Sequence, residues 1–309
     1  MLLYRWRGEA RNFGDELNTL LWPRLLPELL DDNPDALLLG IGSVLDARHD
    51  NAVTKVVAGA GYGGYAQPAT LDESWVIHWV RGPRTARRLR LSPACGLGDP
   101  AMLLPLAGLG GPDDGQPNDR RPNDGRFVGF MPHFESLAHG AWAEAATLAG
   151  VELIDPRGDP IAILAAIANC RVLVSEAMHG VIVADALRVP WVALLPLAPI
   201  HRPKWQDWAE VLELRIEFQP GCASSLTEWV HASRLSARHH GRRVLQLAEP
   251  WLRGVARRRF VAQAARALSE AATVPPQLSS STALDRSRSR MQERLEVLRR
   301  DPLRAVLGR

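Results

Sequence analysis

The stretch VLVSEAMHGVIVADALRVPWVALL, residues 172–195, decides the fold of this chain. An apolar run gives way to helical periodicity over 180–187, and a second apolar run follows at 191–195. This order predicts two parallel strands joined by a crossover helix. His179 and Gly180 then lie where the first strand ends and the helix begins.

The same alternation runs through most of the chain and defines its architecture. Strands are predicted near 2–6, 36–41, 55–58, 75–80, 101–104, 127–131, 151–154, 172–175 and 191–195, and helices near 15–26, 83–90, 141–149, 161–169 and 180–187. GLGGPDDGQPNDRRPNDGR, residues 108–126, is rich in turn-forming residues and predicts a linker. We therefore expect an α/β protein with two Rossmann-like domains, 1–107 and 127–249, that face a ligand-binding cleft. A basic helical tail at 250–309 completes the predicted organisation.

Composition limits the class of protein. Of the 309 residues, 46% are hydrophobic, which is enough for a sizeable core. No apolar run reaches the roughly 18 residues of a membrane span, and no signal peptide is visible, so a soluble cytoplasmic protein is expected. Cys95, Cys170 and Cys222 lack Cys-x-x-Cys spacing, which argues against a disulfide framework and a structural zinc site.

Charge is concentrated at the carboxyl end. Residues 250–309 hold 13 arginines against five acidic residues, so the first 249 residues carry a net charge of about −5, which argues against nucleic-acid binding. For a helix near 251–268, a place in a membrane interface and a place packed across both domains remain open. Beyond the breaker VPPQLSSSTA, the stripe Met291, Leu295 and Leu298 favours binding to an anionic membrane.

Two motifs near strand ends allow more than one interpretation. GAGYGG, residues 59–64, fits G-x-G-x-x-G, but no helix is predicted to open at its third glycine, so a tight turn is favoured over a dinucleotide site. In NFGDELN, residues 12–18, Asn12 or Asp15 fits a helix cap. A carboxylate there also fits proton transfer or hydroxyl binding, because such loops line the ligand crevice.

Basic residues near helix starts point to an anion. Arg81 ends a predicted strand and Arg84 begins the next helix, where an anion between them would relieve the repulsion from the helix dipole. His179 starts another helix, although a lone histidine there is more often a cap or a core residue. Lys204 precedes a further helix. These residues predict an anion-binding cleft, but not a reaction.

In combination, NFGDELN, VRGPRTA, GLGDPAMLL and VSEAMHGVIVADALRVPWVAL resemble the polysaccharide pyruvyl transferase family over about residues 1–215. The resemblance implies transfer of the pyruvyl group of phosphoenolpyruvate onto two hydroxyls of a terminal sugar of an exopolysaccharide. A pyruvate ketal forms and phosphate is released. It also implies a fold similar to the two-domain GT-B glycosyltransferases, and no metal or cofactor.

Matching the family's motifs assigns roles to residues of this chain. Asp15 becomes the base and His179 the acid or phosphate ligand, while the donor contacts are Arg81, Lys204, Gly180, Arg84 and Arg202. Many members have an arginine where this chain has Ala177, so Arg84 or Arg202 is expected to replace it. The acceptor contacts are expected at Asn12, Glu16 and Glu176.

The family also implies partners and a location. We expect an oligosaccharide acceptor on a polyprenyl diphosphate carrier, and a cytoplasmic protein peripheral to the inner face of the plasma membrane through 250–309. Two alternatives stay open. One is a nucleotide-sugar-dependent GT-B glycosyltransferase, for which Glu176 is an ambiguous ribose ligand, and the other is a non-catalytic scaffold of an exopolysaccharide complex.

Overall fold

The computed structural model describes residues 1–8, 10–111, 127–236 and 250–304, with 234–236 and 250–255 described by their helical backbone alone. The strands are β1 (Leu2–Leu3), β2 (Ala36–Leu39), β3 (Thr54–Ala58), β4 (Trp75–Trp79), β5 (Phe127–Met131), β6 (Glu152–Leu153), β7 (Cys170–Ser175), β8 (Trp191–Leu194) and β9 (Phe218–Gln219). The α-helices are α1 (Phe13–Leu25), α2 (Pro83–Arg88), α3 (Phe134–His139), α4 (Trp142–Ala149), α5 (Pro160–Ala168), α6 (Met178–Ala186), α7 (Pro203–Val211), α8 (Leu226–Ser236), α9 (Pro250–Ala271) and α10 (Ser281–Arg300).

The strands form two parallel sheets. One has the order β1-β2-β3-β4 and the other the order β6-β5-β7-β8-β9, and all the ladders within them are parallel. Parallel sheets bury both faces, which is why strands such as Trp75–Trp79 and Trp191–Leu194 are buried along their whole length. The predicted α/β class is confirmed, and residues that follow neighbouring strands meet at one edge of each sheet.

The predicted strand at 101–104 is wrong. The segment Pro100–Ala107 is a 3₁₀ helix, which starts because Asp99 accepts a hydrogen bond of 3.0 Å from the Ala101 N–H. Pro100 occupies the first helical position, where its missing N–H costs nothing. A short apolar run alone does not distinguish a strand from a buried helical turn.

The two sheets share one apolar core. Its main cluster contains Leu17 and Trp22 of α1, Val181 of α6, Trp191 of β8 and Met291 of α10. The two halves are therefore packed against each other directly. Most of the predicted linker lies outside the described residues, because 112–126 are not among them.

The basic tail is part of the folded body. Val261 and Leu268 of α9 are buried with Phe130 and Trp142 of the second half. For the part of α9 whose side chains are described, the helix packs on the protein, but these buried contacts lie in the second half and not across both domains. Trp251, Leu252, Arg253 and Val255, which contributed to the membrane interpretation, lie outside that part.

The position of the last helix corrects the prediction that the stripe beyond the breaker binds an anionic membrane. Met291, Leu295 and Leu298 are buried in the main core, so this stripe is not available to a bilayer. The preceding breaker is not a free hinge, because Gln277 exchanges backbone hydrogen bonds with Trp191. No helix in the described ranges has the length and apolar character that crossing a membrane requires.

Candidate active site between the two sheets

His179 lies in the first turn of α6, just beyond the end of β7. The turn is held by Ser175, whose Oγ donates to the Met131 carbonyl and accepts from the Ala177 N–H, both at 3.0 Å. Ala177 provides no side-chain cap, so the positive end of the helix dipole is not offset there. The imidazole therefore lies beside a helix N-terminus, as predicted from its position.

Asp99 contacts the His179 ring from the first half of the chain. Its Oδ2 lies 3.4 Å from His179 Nε2, and within the described residues neither atom has a well-aligned hydrogen bond. Burial raises the pKa of Asp99, but the charges of His179 and Arg81 and the hydrogen bonds outweigh it, so the pKa lies below its usual value. Asp99 was not among the predicted site residues, because its contact with His179 joins positions that lie far apart in the sequence.

Gly14 makes room for the same ring on its other side. A Cβ atom on Gly14 would lie 1.9 Å from His179 Nδ1, which no side chain tolerates. The glycine of NFGDELN is therefore a packing requirement of His179. Together, Gly14 and Asp99 fix the ring between the α1 segment and the 3₁₀ helix.

Asp15 and Lys204 share the electrostatic environment of His179. Burial raises the pKa of Asp15 above its usual value, against the opposing effects of His179, a hydrogen bond from Asn12 and Lys204. Asn12 occupies the N-cap position of α1, as the capping interpretation predicted. Its side chain makes no cap hydrogen bond, however, and Nδ2 instead donates to Asp15 Oδ2 at 2.6 Å. Lys204 is half-buried, with Nζ 5.9 Å from the Tyr65 ring centroid.

Arg81 is fully buried and contacts the protein on every side. Its Nε donates to Asp207 Oδ2 at 3.1 Å, and its terminal nitrogens donate to Ser43 Oγ and the Tyr62 carbonyl at 2.8 and 3.0 Å. Asp207 also accepts hydrogen bonds from the backbone N–H groups at the start of α2. The anion predicted beside Arg81 is thus the Asp207 carboxylate of the chain itself. That Arg81 also contacts the donor substrate stays a prediction.

Replacing Arg81 with methionine is expected to lower the free energy of unfolding by about 3–5 kcal/mol, because Asp207 would keep a buried charge without its partner. Chemical denaturation measures this loss. The double variant Arg81→Met, Asp207→Asn is the control and should recover part of it. If the single variant is stable but needs more phosphoenolpyruvate for half-maximal turnover, Arg81 instead lies in the phosphoenolpyruvate site.

Several predicted contacts have other partners in the structure. The Arg84 guanidinium is at the surface, 2.9 Å from Glu210, and Arg202 Nε donates to the Pro196 carbonyl at 3.0 Å. Glu16 accepts from Arg5 at 2.6 Å, and Glu176 accepts the His133 and Leu197 N–H groups. Of these side chains, Glu16 adjoins Asp15, and its charge adds to the effect of burial in raising the pKa of Asp15. The other three are not grouped with Asp15, His179 and Lys204 by any described contact.

Packing explains the glycines of two motifs. A Cβ on Gly180 would lie 2.7 Å from Ser175 Oγ and 2.8 Å from Met131 Sδ, so Gly180 permits helix–strand packing, and its contact with the donor stays a prediction. In GAGYGG, Gly59 has φ +97° and packs on Pro100, and no helix follows Gly64. The tight-turn interpretation of this motif agrees with that geometry.

Replacing Asp99 with asparagine is expected to lower turnover about 10–100-fold, while the phosphoenolpyruvate concentration needed for half-maximal turnover changes little. The amide keeps the shape but not the charge that orients His179, and removing an orienting partner usually costs this much. Steady-state kinetics measure the effect, and Asp46→Asn, at a buried carboxylate paired with Arg48, is the control. Equal losses in both variants would assign Asp99 to stability alone.

One group in the described part of the chain offers a set of metal ligands. His133, Glu135 and His201 each place a ligand atom within 4.8 Å of the others. The group adjoins the candidate site, because the Tyr65 hydroxyl lies 3.0 Å from His201 Nδ1 and the Tyr65 ring lies near Lys204 Nζ. No metal was predicted from the sequence, and these residues were not recognised as a group because they follow different strands.

Comparison with known proteins identifies relatives. The family model described as polysaccharide pyruvyl transferase matches residues 69–196. Succinoglycan biosynthesis protein ExoV of Rhizobium meliloti (strain 1021) is 34% identical over 324 aligned positions, which cover 96% of this chain and 98% of that protein. No solved structure matches the chain.

Proposed function

The chain belongs to the polysaccharide pyruvyl transferase family, and from this premise we propose that it transfers pyruvyl from phosphoenolpyruvate to an exopolysaccharide repeat unit. Two hydroxyls of a terminal sugar would receive the pyruvyl group as a ketal, and phosphate would leave. The observation that carries the proposal is the packing of His179 between Gly14 and Asp99, with Asp15 next to Gly14 in the sequence and the charge of Lys204 acting on Asp15.

The reaction needs an acid, a base and positive charge in one place. A proton adds to C3 of phosphoenolpyruvate, which makes C2 electrophilic. One sugar hydroxyl forms a bond to C2 and loses its proton, and the second then forms a C2–O bond as the bond from C2 to the phosphate oxygen breaks. The two hydroxyls lose one proton each. One of these protons balances the proton taken up at C3, and the other leaves with phosphate.

Each residue of the group suits one of these tasks. Asp99 contacts Nε2 of His179 and favours the proton there, which leaves Nδ1 for exchange with the donor. Asp15, whose pKa is raised by burial, is the proposed base for the hydroxyl. Lys204 and the N-terminus of α6 would bind the anionic donor. Arg202 is preferred over Arg84 as the substitute for the arginine missing at Ala177, because Arg84 is paired with Glu210.

We further propose a GT-B-like arrangement, with the donor between the sheet β1–β4 and the sheet β5–β9. The support is that contacts such as His179–Asp99 and Tyr65–His201 join residues from both halves. The acceptor is proposed to be an oligosaccharide on a polyprenyl diphosphate carrier. Its membrane would attract the protein through exposed arginines rather than through the buried stripe of α10.

Charge reversal of Arg258 and Arg259, both exposed on α9, is expected to weaken binding to anionic liposomes at low salt. Each arginine near such a surface contributes about 1 kcal/mol, so the double variant should bind at least about 30-fold more weakly. Vesicle co-sedimentation measures the change, and neutral vesicles are the control. Equal binding by both proteins would exclude this face of α9.

The donor is identified by offering the purified protein phosphoenolpyruvate or sugar nucleotides together with oligosaccharide acceptors. We expect phosphate release from phosphoenolpyruvate that depends on the acceptor. Acceptor-dependent release of nucleoside diphosphate would support the glycosyltransferase instead. A folded protein that turns over neither donor would support the non-catalytic scaffold.

A further inference from the structure

Two buried imidazoles and a carboxylate converge beside the candidate active site. His133 follows the end of β5, Glu135 lies in the first turn of α3, and His201 ends the 3₁₀ turn that precedes α7. His133 and His201 are 7% and 6% exposed. Their rings stack with centroids 4.2 Å apart, and both present a nitrogen to the same oxygen of Glu135.

The separations of the ligand atoms are close to those of a coordination sphere. Glu135 Oε2 lies 2.8 Å from His201 Nε2 and 3.7 Å from His133 Nδ1. In a tetrahedral zinc site with metal–ligand distances near 2.0–2.1 Å, neighbouring ligand atoms are about 3.3 Å apart. The two observed distances bracket that value, so a small rotation of the rings would open the space for an ion.

Groups around the cluster support metal binding. The second nitrogen of His201 is 3.0 Å from the Tyr65 hydroxyl, which is the kind of outer contact that orients a histidine ligand. Glu176 accepts the backbone N–H of His133 and thereby fixes the start of the α3 segment. The charge of Lys204 acts on His133 and disfavours a metal cation there, whereas the carboxylate of Glu176 lines the same cavity and favours one.

We propose that His133, Glu135 and His201 form a binding site for a divalent transition-metal ion, for which Zn²⁺ is the best match. Two imidazoles and one carboxylate are a donor set that zinc accepts while keeping a fourth position open. That position would take an oxygen ligand, either water or an anionic oxygen bound near Lys204. The site goes beyond the proposed transfer reaction, and its existence does not depend on which donor the enzyme uses.

The competing explanation is a hydrogen-bonded chain without a metal. Tyr65, His201 and Glu135 would then share protons through the contacts of 3.0 and 2.8 Å, and His133 would be a stacked neighbour. This hydrogen-bonded network needs the same residues as the metal site, so activity measurements alone do not distinguish the two explanations. Direct metal binding does.

The test is a titration of the full-length protein, stripped with a chelator, with Zn²⁺ by calorimetry and with Co²⁺ by visible absorption. We expect one ion per chain and cobalt bands typical of four- or five-coordinate sites. His201→Ala and Glu135→Gln should each weaken binding at least about 100-fold, since each removes a ligand. His49→Gln, at a histidine that contacts the Val44 carbonyl outside the cluster, should bind as the unmodified protein does.

Thermal melting of the metal-free proteins separates a lost ligand from a lost fold. Glu135 is partly exposed, so Glu135→Gln should melt close to the unmodified protein while losing zinc affinity. Two results would overturn the proposal: no stoichiometric zinc in the unmodified protein, or equal zinc affinity in the Glu135→Gln and His201→Ala variants and the unmodified protein.

Discussion

Replacing His179 with alanine is expected to lower turnover with phosphoenolpyruvate by at least about 100-fold, the usual scale for a positioned acid or a donor to developing charge. The ring is held by Asp99 at 3.4 Å and by the close approach of Gly14, and it shares an environment with Asp15 and Lys204. Its removal leaves the donor without its proposed proton source. Steady-state kinetics with thermal melting measure the effect on turnover and on folding separately.

A second variant tests the placement of His179 without changing its chemistry. Gly14→Ala introduces a Cβ only 1.9 Å from the present position of His179 Nδ1, so the ring must leave that position and its present geometry with Asp99. A loss of turnover similar to that of His179→Ala is expected. Gly64→Ala provides a comparison, because a Cβ there meets no atom within 4 Å, although its φ of +81° adds some strain. Near-normal turnover of a folded His179→Ala protein would remove the histidine from the mechanism.

Deleting residues 280–309 is expected to abolish folding, because α10 is part of the main core. The deletion removes Met291, Leu295 and Leu298 from the main core, and truncating one such side chain costs about 2–5 kcal/mol. It also removes Arg288, which donates to the Met102 and Ala186 carbonyls at 2.8 and 2.7 Å. Three such losses amount to about 6–15 kcal/mol, which is as large as the roughly 5–15 kcal/mol by which a domain is usually stable.

Circular dichroism and soluble yield measure the outcome of this deletion. The control removes only 305–309, which leaves α10 complete. Leu295→Ala is a milder version and should lower the free energy of unfolding by about 2–5 kcal/mol. If the deletion protein melts at the temperature of the full chain, residues 280–309 do not contribute to the stability of the core.

The fold was largely predictable because parallel sheets leave a strong pattern. The segment 172–195 gave β7, α6 and β8 within a few residues, since short apolar runs and a helical period differ in length and spacing. The tail was not predictable by the same means. An amphipathic basic helix has the same pattern whether its apolar face meets a bilayer or a protein core, and sequence alone does not say which surface covers Met291 and Leu295.

The candidate site was predictable only in part, for a related reason. Asp15, His179 and Lys204 could be placed because each follows a strand, and strand ends meet at one edge of a sheet. The partner of Arg81 could not be predicted, because Asp207 lies 126 positions away in the sequence. The cluster of His133, Glu135 and His201 could not be predicted either, because its residues follow different strands and belong to no common sequence motif.

The central claim is tested most directly by the mass of the acceptor after incubation with carbon-13-labelled phosphoenolpyruvate and the full-length protein. The account predicts an acceptor heavier by one labelled pyruvic acid less one water, with one labelled carbon bonded to two sugar oxygens by nuclear magnetic resonance. The His179→Ala protein should form this product at least about 100-fold more slowly. An acceptor that keeps its mass while the folded protein consumes a sugar nucleotide, or while phosphoenolpyruvate stays intact with every exopolysaccharide acceptor offered, would contradict the account.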